Sequence, residues 1–585
     1  MTQHAVSSLP TPAPTPAPTS TPTPAPAPAP AGRPSPDTPS LGWWRDAVIY
    51  QVYVRSFADS DGDGVGDLPG ARQRLPYLAG LGVDAVWLTP FYASPQADGG
   101  YDVSDYRAVD PRFGDLSDAE GFITEAHDLG LRVIVDIVPN HTSDQHAWFR
   151  AALAGDEEAR ARYHVRPGRG EGHQLPPNDW ESVFGGPAWS RLPGDEGLWY
   201  LHLFAPEQPD LDWENPQVHA EFDAVIRFWL DLGVDGFRID VAHGMVKAPG
   251  LPDIGRKEQA RMIGAQQLPF FDQDGVHEIH RSWRRLLESY GPDRIGVAEA
   301  WAPTSERLAL YVRPDELHQA FNFQFLRAGW DARELREVIE ESMAATTRVG
   351  APTTWVLSNH DVVRHRTRLG SLARARAAAL LMLALPGSVY LYQGEELGLP
   401  EVTALPDEVR QDPAFFRATG DQAGQDGLRD GCRVPLPWST EGPSWGFGPG
   451  DSWLPQPAEW RGLSVRAQTG DPDSTLELYR TALRLRRRLP GLGDSAMEWL
   501  AAPEGVLALS RPGLMCVVNT RDSAVEMTVP GRLLLSSTPG ATDEAAAPDA
   551  PGSPDEAPNT APAPDAAEAP GGRLIPANSC TWWAA

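Results

Sequence analysis

Eight short runs of β-branched and aromatic residues, each followed by a longer stretch of helical character, constrain this chain more than anything else in it. They are AVIYQVYV (47–54), VDAVWLTP (83–90), RVIVDIVPNH (132–141), GFRIDVA (236–242), IGVAEAW (295–301), AFNFQFL (320–326), TTWVLSNHD (353–361) and SVYLYQGEELG (388–398). Near-continuous apolar runs are what strands buried on both faces require, and intervening helices allow successive strands to run parallel. Eight such units predict an α/β fold of the (β/α)8 TIM-barrel type, closed rather than open. The barrel is expected over 41–141 and 216–485, with a small inserted domain after strand three in the Trp-, Pro- and Gly-rich segment 142–215. Beyond it, GVLALSRPGLMCVVN, SAVEMTVPGRLLL and NSCTWW alternate as strands do, predicting a C-terminal antiparallel β-sandwich over 486–585.

Two tracts have almost nothing to bury. Residues 1–40 are a Pro/Ala/Thr-rich run, and 541–572 carry seven acids and no base. Both are expected to be disordered. A net charge of -29 excludes the basic surface that nucleic acid demands. No apolar run reaches the eighteen residues of a membrane span. Three cysteines, at 432, 516 and 580, make no disulfide framework, and MTQHAVSSLP lacks the pattern of a secretory signal. A cytoplasmic protein acting on a small molecule is the expectation; oligomeric state is not legible.

In a barrel of this type the reacting groups lie just past the C-terminal ends of the strands. Those ends carry Asn140 and His141 (third), Arg238 and Asp240 (fourth), Glu299 (fifth), and Asn359, His360 and Asp361 (seventh). Three acids from three strands would face one mouth, each beside a histidine or arginine. Glycoside hydrolysis uses converging carboxylates in this way: one attacks or activates water, another protonates the leaving oxygen, and a third can steady the oxocarbenium-like transition state. The His-x-x-x-His spacing of zinc enzymes and a glycine-rich phosphate loop after the first strand are both missing.

The loop FADSDGDGVGDLPG (57–70) places Asp59, Asp61 and Asp63 at the first, third and fifth positions of a calcium loop. Gly64 makes the turn, the Val65 carbonyl takes the seventh position and Asp67 the ninth. The twelfth is Gly70, which has nothing to coordinate with, so this is no regulatory EF-hand. These donors suit a hard cation, Ca2+ or alternatively Mg2+.

The blocks DIVPNH, GFRIDVAH, GVAEAW and VLSNHD, in that order, resemble the signature regions of the α-amylase family, glycoside hydrolase family thirteen. Together with DSDGDGVGDLPG, GGYDVSDY, PPNDWESVFGGPAW, YLHLFAPEQPDLDWENP, YQGEELG and RDGCRVPLPW they resemble its α-glucosidase and oligo-1,6-glucosidase branch. The resemblance implies that Asp240 is the nucleophile, Glu299 the general acid/base and Asp361 the transition-state stabiliser. It implies that Arg238 keeps Asp240 ionised, that His141 and His360 bond the bound sugar, and that Tyr101 stacks on it. Asp102 would pair with Arg433 to close the pocket, and the acidic loop would hold a structural calcium. The activity implied is a retaining exo-α-glucosidase acting on short α-glucosides. Oligo-1,6-glucosidase, trehalose synthase or another transglucosylase are the alternatives, and a non-catalytic relative a remoter one. Asp212 stands where the branch often has Asn, and Cys432 and Val434 alter the last motif. Val241 is the residue type that in this branch often accompanies α-1,6 cleavage, whereas the uncrowded Ala242, His243 and Gly244 after it resemble maltose-active enzymes.

Overall fold

In the computed structural model, which describes residues 42–417, 428–541 and 571–585, all eight expected runs contribute a strand to one parallel sheet. The strands are Val48–Val52, Ala85–Leu88, Arg132–Ile137, Gly236–Ile239, Ile295–Ala298, Gln319–Ala320, Thr354–Val356 and Ser388–Tyr392. Each of the first six neighbours its successor or predecessor in the chain, the first pairs with the eighth, and the eighth with the seventh. A parallel bridge between Phe321 and Thr354, with Asn322 N donating to the Thr354 carbonyl at 3.0 Å, joins the sixth to the seventh and closes the ring. The tail 1–40 and, but for its ends, the acidic tract 541–572 lie outside the described residues.

The period-two alternation of a strand sorts the side chains. Ile49, Trp87, Ile134, Val297, Phe321 and Tyr390 fill the barrel interior. Their neighbours Val48, Tyr50, Val86, Val133 and Val135 pack outward against the helices in a second, larger core. Both faces are buried, which is why the strands read as apolar runs. The sixth run departs from expectation. Only Gln319–Ala320 is strand, and Phe323–Arg327 is a short helix. Asn322 causes the switch: its side-chain oxygen accepts from Phe325 N at 3.0 Å, an N-cap that an apolar run alone does not reveal.

The strands are shorter than the runs at their C-terminal ends, so the polar residues there fall in loops. After the third strand the segment folds into an antiparallel sheet of Val165–Pro167, Leu198–Leu201 and Trp189–Arg191, with Leu198–Leu201 in the middle. Its aromatic core, including Trp180, Trp189 and Leu201, continues into Val241, Phe270 and Phe271 of the barrel loops. A fully buried Lys247 ties the segment down, its Nζ 2.8 Å from Asp210 and from the Asn140 side-chain oxygen. The C-terminal region forms a five-stranded antiparallel sheet, and Val525–Val529 pairs with Gly571–Ile575 as a second. Val506, Val517, Val529, Ile575 and Trp583 from the two sheets share one core.

Glu395, after the eighth strand, is wholly buried and accepts from the Tyr479 hydroxyl at 2.9 Å. Burial pushes its carboxyl from the ordinary 4.5 up to about 8. An acid raised in the folded state contributes its stability below the unfolded pKa and loses it as pH rises through the folded one. Urea unfolding should therefore show stability falling between pH 4.5 and about 8, with a shallower fall in Glu395→Gln. Equal slopes in the two proteins would contradict the assignment.

Candidate active site

The loops after the strands bring Asp240, Glu299 and Asp361 to one pocket of about 270 Å³, together with Tyr101, His141, Asp98 and Arg429. Behind it lies a buried charge cluster centred on Arg238. Its Nη1 is 2.7 Å from Asp136 and 2.6 Å from Asp240, and its Nη2 is 3.6 Å from Glu299. Asp136, entirely buried, also accepts from the Tyr101 hydroxyl at 3.0 Å and the Trp87 indole at 3.2 Å. Asp136 was not among the expected site residues. Its signal was a lone charge inside the apolar strand IVDIV.

Val241 follows Asp240 with φ +45, a left-handed conformation that a β-branched side chain strongly disfavours. Such strain costs on the order of 1–3 kcal/mol and persists only where surrounding contacts impose it. Here they are Val241 N donating to Glu299 Oε2 at 2.7 Å and Ala242 N donating to the Glu299 carbonyl at 2.9 Å. The turn thus locks the fourth strand end to the fifth and fixes the two acids relative to each other.

Burial pushes the carboxyls of both Asp240 and Glu299 up, and Asp361 adds to the push on each. Acids so placed share a proton as a pair. Arg238, 2.6 Å from Asp240 and 3.6 Å from Glu299, opposes that rise in both, and Val241 N opposes it in Glu299 as well. Asp361 is the opposite case. Burial would raise it, but His360 and the guanidinium groups of Arg433, Arg429 and Arg238 outweigh burial and hold it well below the carboxylate range.

The two histidines are neutral, their pKa values lowered by burial, His360 to about 3. His360 lies between the rings of Tyr101 (5.2 Å, 7°) and Tyr53 (5.6 Å, 18°). Gln51 Nε2 donates to its Nδ1 at 2.6 Å, which leaves the proton on Nε2, 3.2 Å from Asp361. In His141, Nδ1 accepts from Asn140 at 3.1 Å and Nε2 donates to the Tyr101 carbonyl at 3.1 Å.

The pocket's closed end is not the expected Asp102–Arg433 pair. Asp98 meets Arg429 at 2.7 Å, and Arg429 also reaches Asp412 at 2.7 Å and Asp361 at 3.4 Å. Asp102 is fully buried beneath them and accepts from Ala97 N at 2.8 Å and Asp98 N at 3.0 Å, building the turn that presents Asp98. Arg433 spans the His360 carbonyl (2.8 Å) and Asp361 (2.9 Å). Two acids in ADGGYD and two arginines in RDGCR offered themselves, and spacing alone could not say which faced inward. Of the divergent positions, Asp212 pairs with Arg166 at 3.2 Å outside the pocket, and Cys432 and Val434 are buried.

In the acidic loop, carboxylate oxygens of Asp59, Asp61 and Asp67 lie within 4.8 Å of one another. Asp67 caps the helix Leu68–Gln73 through Gly70 N at 2.6 Å. Asp63 stands outside that group and accepts from Val65 N at 2.8 Å. Three clustered carboxylates suit a hard cation.

The profile of the α-amylase catalytic domain matches residues 51–494. A probable α-glucosidase of Rhizobium meliloti is 37% identical over 528 residues, covering 85% of this chain and 92% of its own. An oligo-1,6-glucosidase of Parageobacillus thermoglucosidasius is 36% identical, covering 76% and 84%. Among solved structures, the α-glucosyl transfer enzyme XgtA superposes with a TM-score of 0.77 at 38% identity, over 84% of this chain and 94% of that one. The trehalulose synthase MutB from Pseudomonas mesoacidophila MX-45 gives 0.80 at 29% identity, over 93% and 99%.

Proposed function

The chain belongs to the α-amylase catalytic-domain family, and from that premise we propose that it is a retaining, exo-acting α-glucosidase of short oligosaccharides. One observation carries the reading. Asp240, Glu299 and Asp361 face a pocket whose inner end is barred by Asp98 and Arg429, so a chain can enter only by its terminal glucose. Asp240, kept charged by Arg238, attacks C1 from the face opposite the glycosidic oxygen. Glu299 passes its proton to that oxygen as the bond to C1 breaks, and the leaving sugar departs with it. A glucosyl ester of inverted configuration remains on Asp240. Glu299, now ionised, removes a proton from water, whose oxygen displaces Asp240 and restores the α configuration. Asp361 stays anionic throughout and balances the positive charge that develops on the ring. His141, His360 and Tyr101 hold the glucose.

Interception of the ester by a sugar instead of water gives transfer, and the structural likeness to an α-glucosyl transfer enzyme favours keeping that as the second reading. Incubation with maltose separates the two. Glucose as the main product supports hydrolysis; trehalose or longer oligomers would overturn it.

Linkage preference turns on Val241, which lines the pocket beside Asp240. We expect α-1,4 activity with a measurable α-1,6 side activity. A methyl-sized difference is worth about 1–3 kcal/mol, so the preference is graded. The ratio of kcat/KM for maltose over isomaltose should exceed one and rise in Val241→Thr. A ratio well below one in the unmodified protein would reverse the assignment.

Asp59, Asp61 and Asp67, completed by Asp63 and the Val65 carbonyl, are proposed to hold one Ca2+, with Mg2+ the substitute. An ion bound only by the folded chain stabilises it by about 2.7 kcal/mol at a hundred times its Kd. The melting temperature should fall on chelation and recover with calcium; no change, with no metal by elemental analysis, would refute the site. No helix among the described residues is long and apolar enough to cross a membrane.

A further inference from the structure

The arginines in and behind the pocket are neutralised by carboxylates, with one exception. Arg238 sits on Asp136 and Asp240, Arg433 on Asp361, and Arg429 on Asp98 and Asp412. Arg327 lines the same pocket, yet among the described residues its one hydrogen bond is a long contact of Nη2 with the Ile263 carbonyl, 3.5 Å. Partial burial lowers its pKa and no neighbouring acid offsets that. The side chain is nevertheless held in place. Its guanidinium lies 4.6 Å over the ring of Trp301, which stacks in turn on Phe323 at 3.9 Å.

Its position gives it a role. Asp98, Tyr101 and His141, at the floor, are buried, whereas Arg327 and Ala260 are exposed and form the mouth. Trp301 stands two residues beyond Glu299, the group placed on the leaving oxygen, so the leaving sugar must pass Arg327. Elsewhere the pocket presents the carboxylates of Asp240 and Asp361, which repel an anion. Among the described residues, only at the mouth does an anion find a lining cation not already paired.

We propose that Arg327 gives the enzyme a preference for α-glucosides whose leaving group is anionic, its carboxylate or phosphate received on the forked N–H donors of the guanidinium. The inference rests on the α-glucosidase reading of the same site. A planar, forked donor matches either oxyanion in two-point contact, and the indole beneath limits the entropy lost on binding. A contact at the mouth is open to counter-ions, so the preference should weaken as salt is added.

The test compares kcat/KM for maltobionate and maltitol, which share one open-chain skeleton and differ in charge, with trehalose 6-phosphate and trehalose as the phosphate arm. Maltose and 4-nitrophenyl α-glucoside serve as reference substrates. A charge-assisted hydrogen bond predicts an anion-to-neutral ratio of about tenfold or more at low salt, in the carboxylate pair, the phosphate pair or both. That ratio should fall towards one in Arg327→Gln, be partly kept in Arg327→Lys, and decline with added sodium chloride. A ratio at or below one in the unmodified enzyme, with the reference substrates turned over, overturns the inference and leaves the parent reading standing. So does a high ratio that Arg327→Gln leaves unchanged. If no α-glucoside is hydrolysed, both readings fall together.

Discussion

Replacing Asp240 by alanine is expected to reduce turnover of maltose to the limit of detection while leaving the protein folded. The variant removes the atom that forms the bond to C1, and no second carboxylate is free to replace it, because Asp361 is engaged by Arg433 and Asp136 by Arg238. Stability should be unchanged or slightly raised, since Arg238 keeps Asp136 as a partner and the carboxyl removed is one that burial and Glu299 disfavour in its charged form. Glu299→Gln gives the companion result. Loss of a positioned general acid costs about 10²–10⁴-fold on maltose, and much less on an aryl α-glucoside whose leaving group departs without a proton. Proton NMR of the unmodified reaction should show α-glucose first. The appearance of β-glucose first would remove Asp240 from the role of nucleophile.

Arg238→Met should be the most damaging substitution for stability. It strips the cation from Asp136, which is fully buried, and from Asp240 and Glu299, which are nearly so. Breaking a buried ion pair from one side costs about 3–5 kcal/mol, because the partner charge stays behind without compensation. Lysine would not rescue it, since one guanidinium reaches three carboxylates here and a point charge cannot. The loss should depend on pH in a defined direction. Asp136 is pushed up to about 6 by burial even with Arg238 present, and higher without it. The variant's deficit should therefore be smallest at and below about pH 6, where Asp136 is protonated in both proteins, and grow as pH rises above it. A deficit independent of pH would mean that lost packing of the long side chain, not stranded charge, is the cause.

The strand-end residues were legible because the barrel is a repeating structure. An apolar run that ends in Asn-His, Arg-Ile-Asp or Glu-Ala-Trp marks where backbone leaves the sheet, and parallel strands must deliver all those ends to one face. The clustering of Asp59, Asp61 and Asp67 was legible for a similar reason, the three being spaced along a single turn. Asp136 could have been found by the same logic, since a charge inside a strand buried on both faces must have a buried partner. The sixth run misled because a few apolar residues suit a short strand and a short helix equally, and Asn322 decided the matter.

Local pattern by itself thus determined the barrel, the insertion, the three converging acids and the class of chemistry, because each depends on neighbours in the chain. Which acid and which arginine close the pocket was decided only by tertiary structure. Asp98 and Asp102 lie four residues apart in one turn, as Arg429 and Arg433 do in another. The first turn sends Asp98 to the pocket and folds Asp102 beneath it to accept from buried backbone N–H groups; the second sends Arg429 to Asp98 and Arg433 to the His360 carbonyl. The charge environment was decided there too, since one guanidinium stands 2.6 Å from Asp240 and 3.6 Å from Glu299, and Coulomb energy in a buried site depends on such distances, which sequence spacing does not supply.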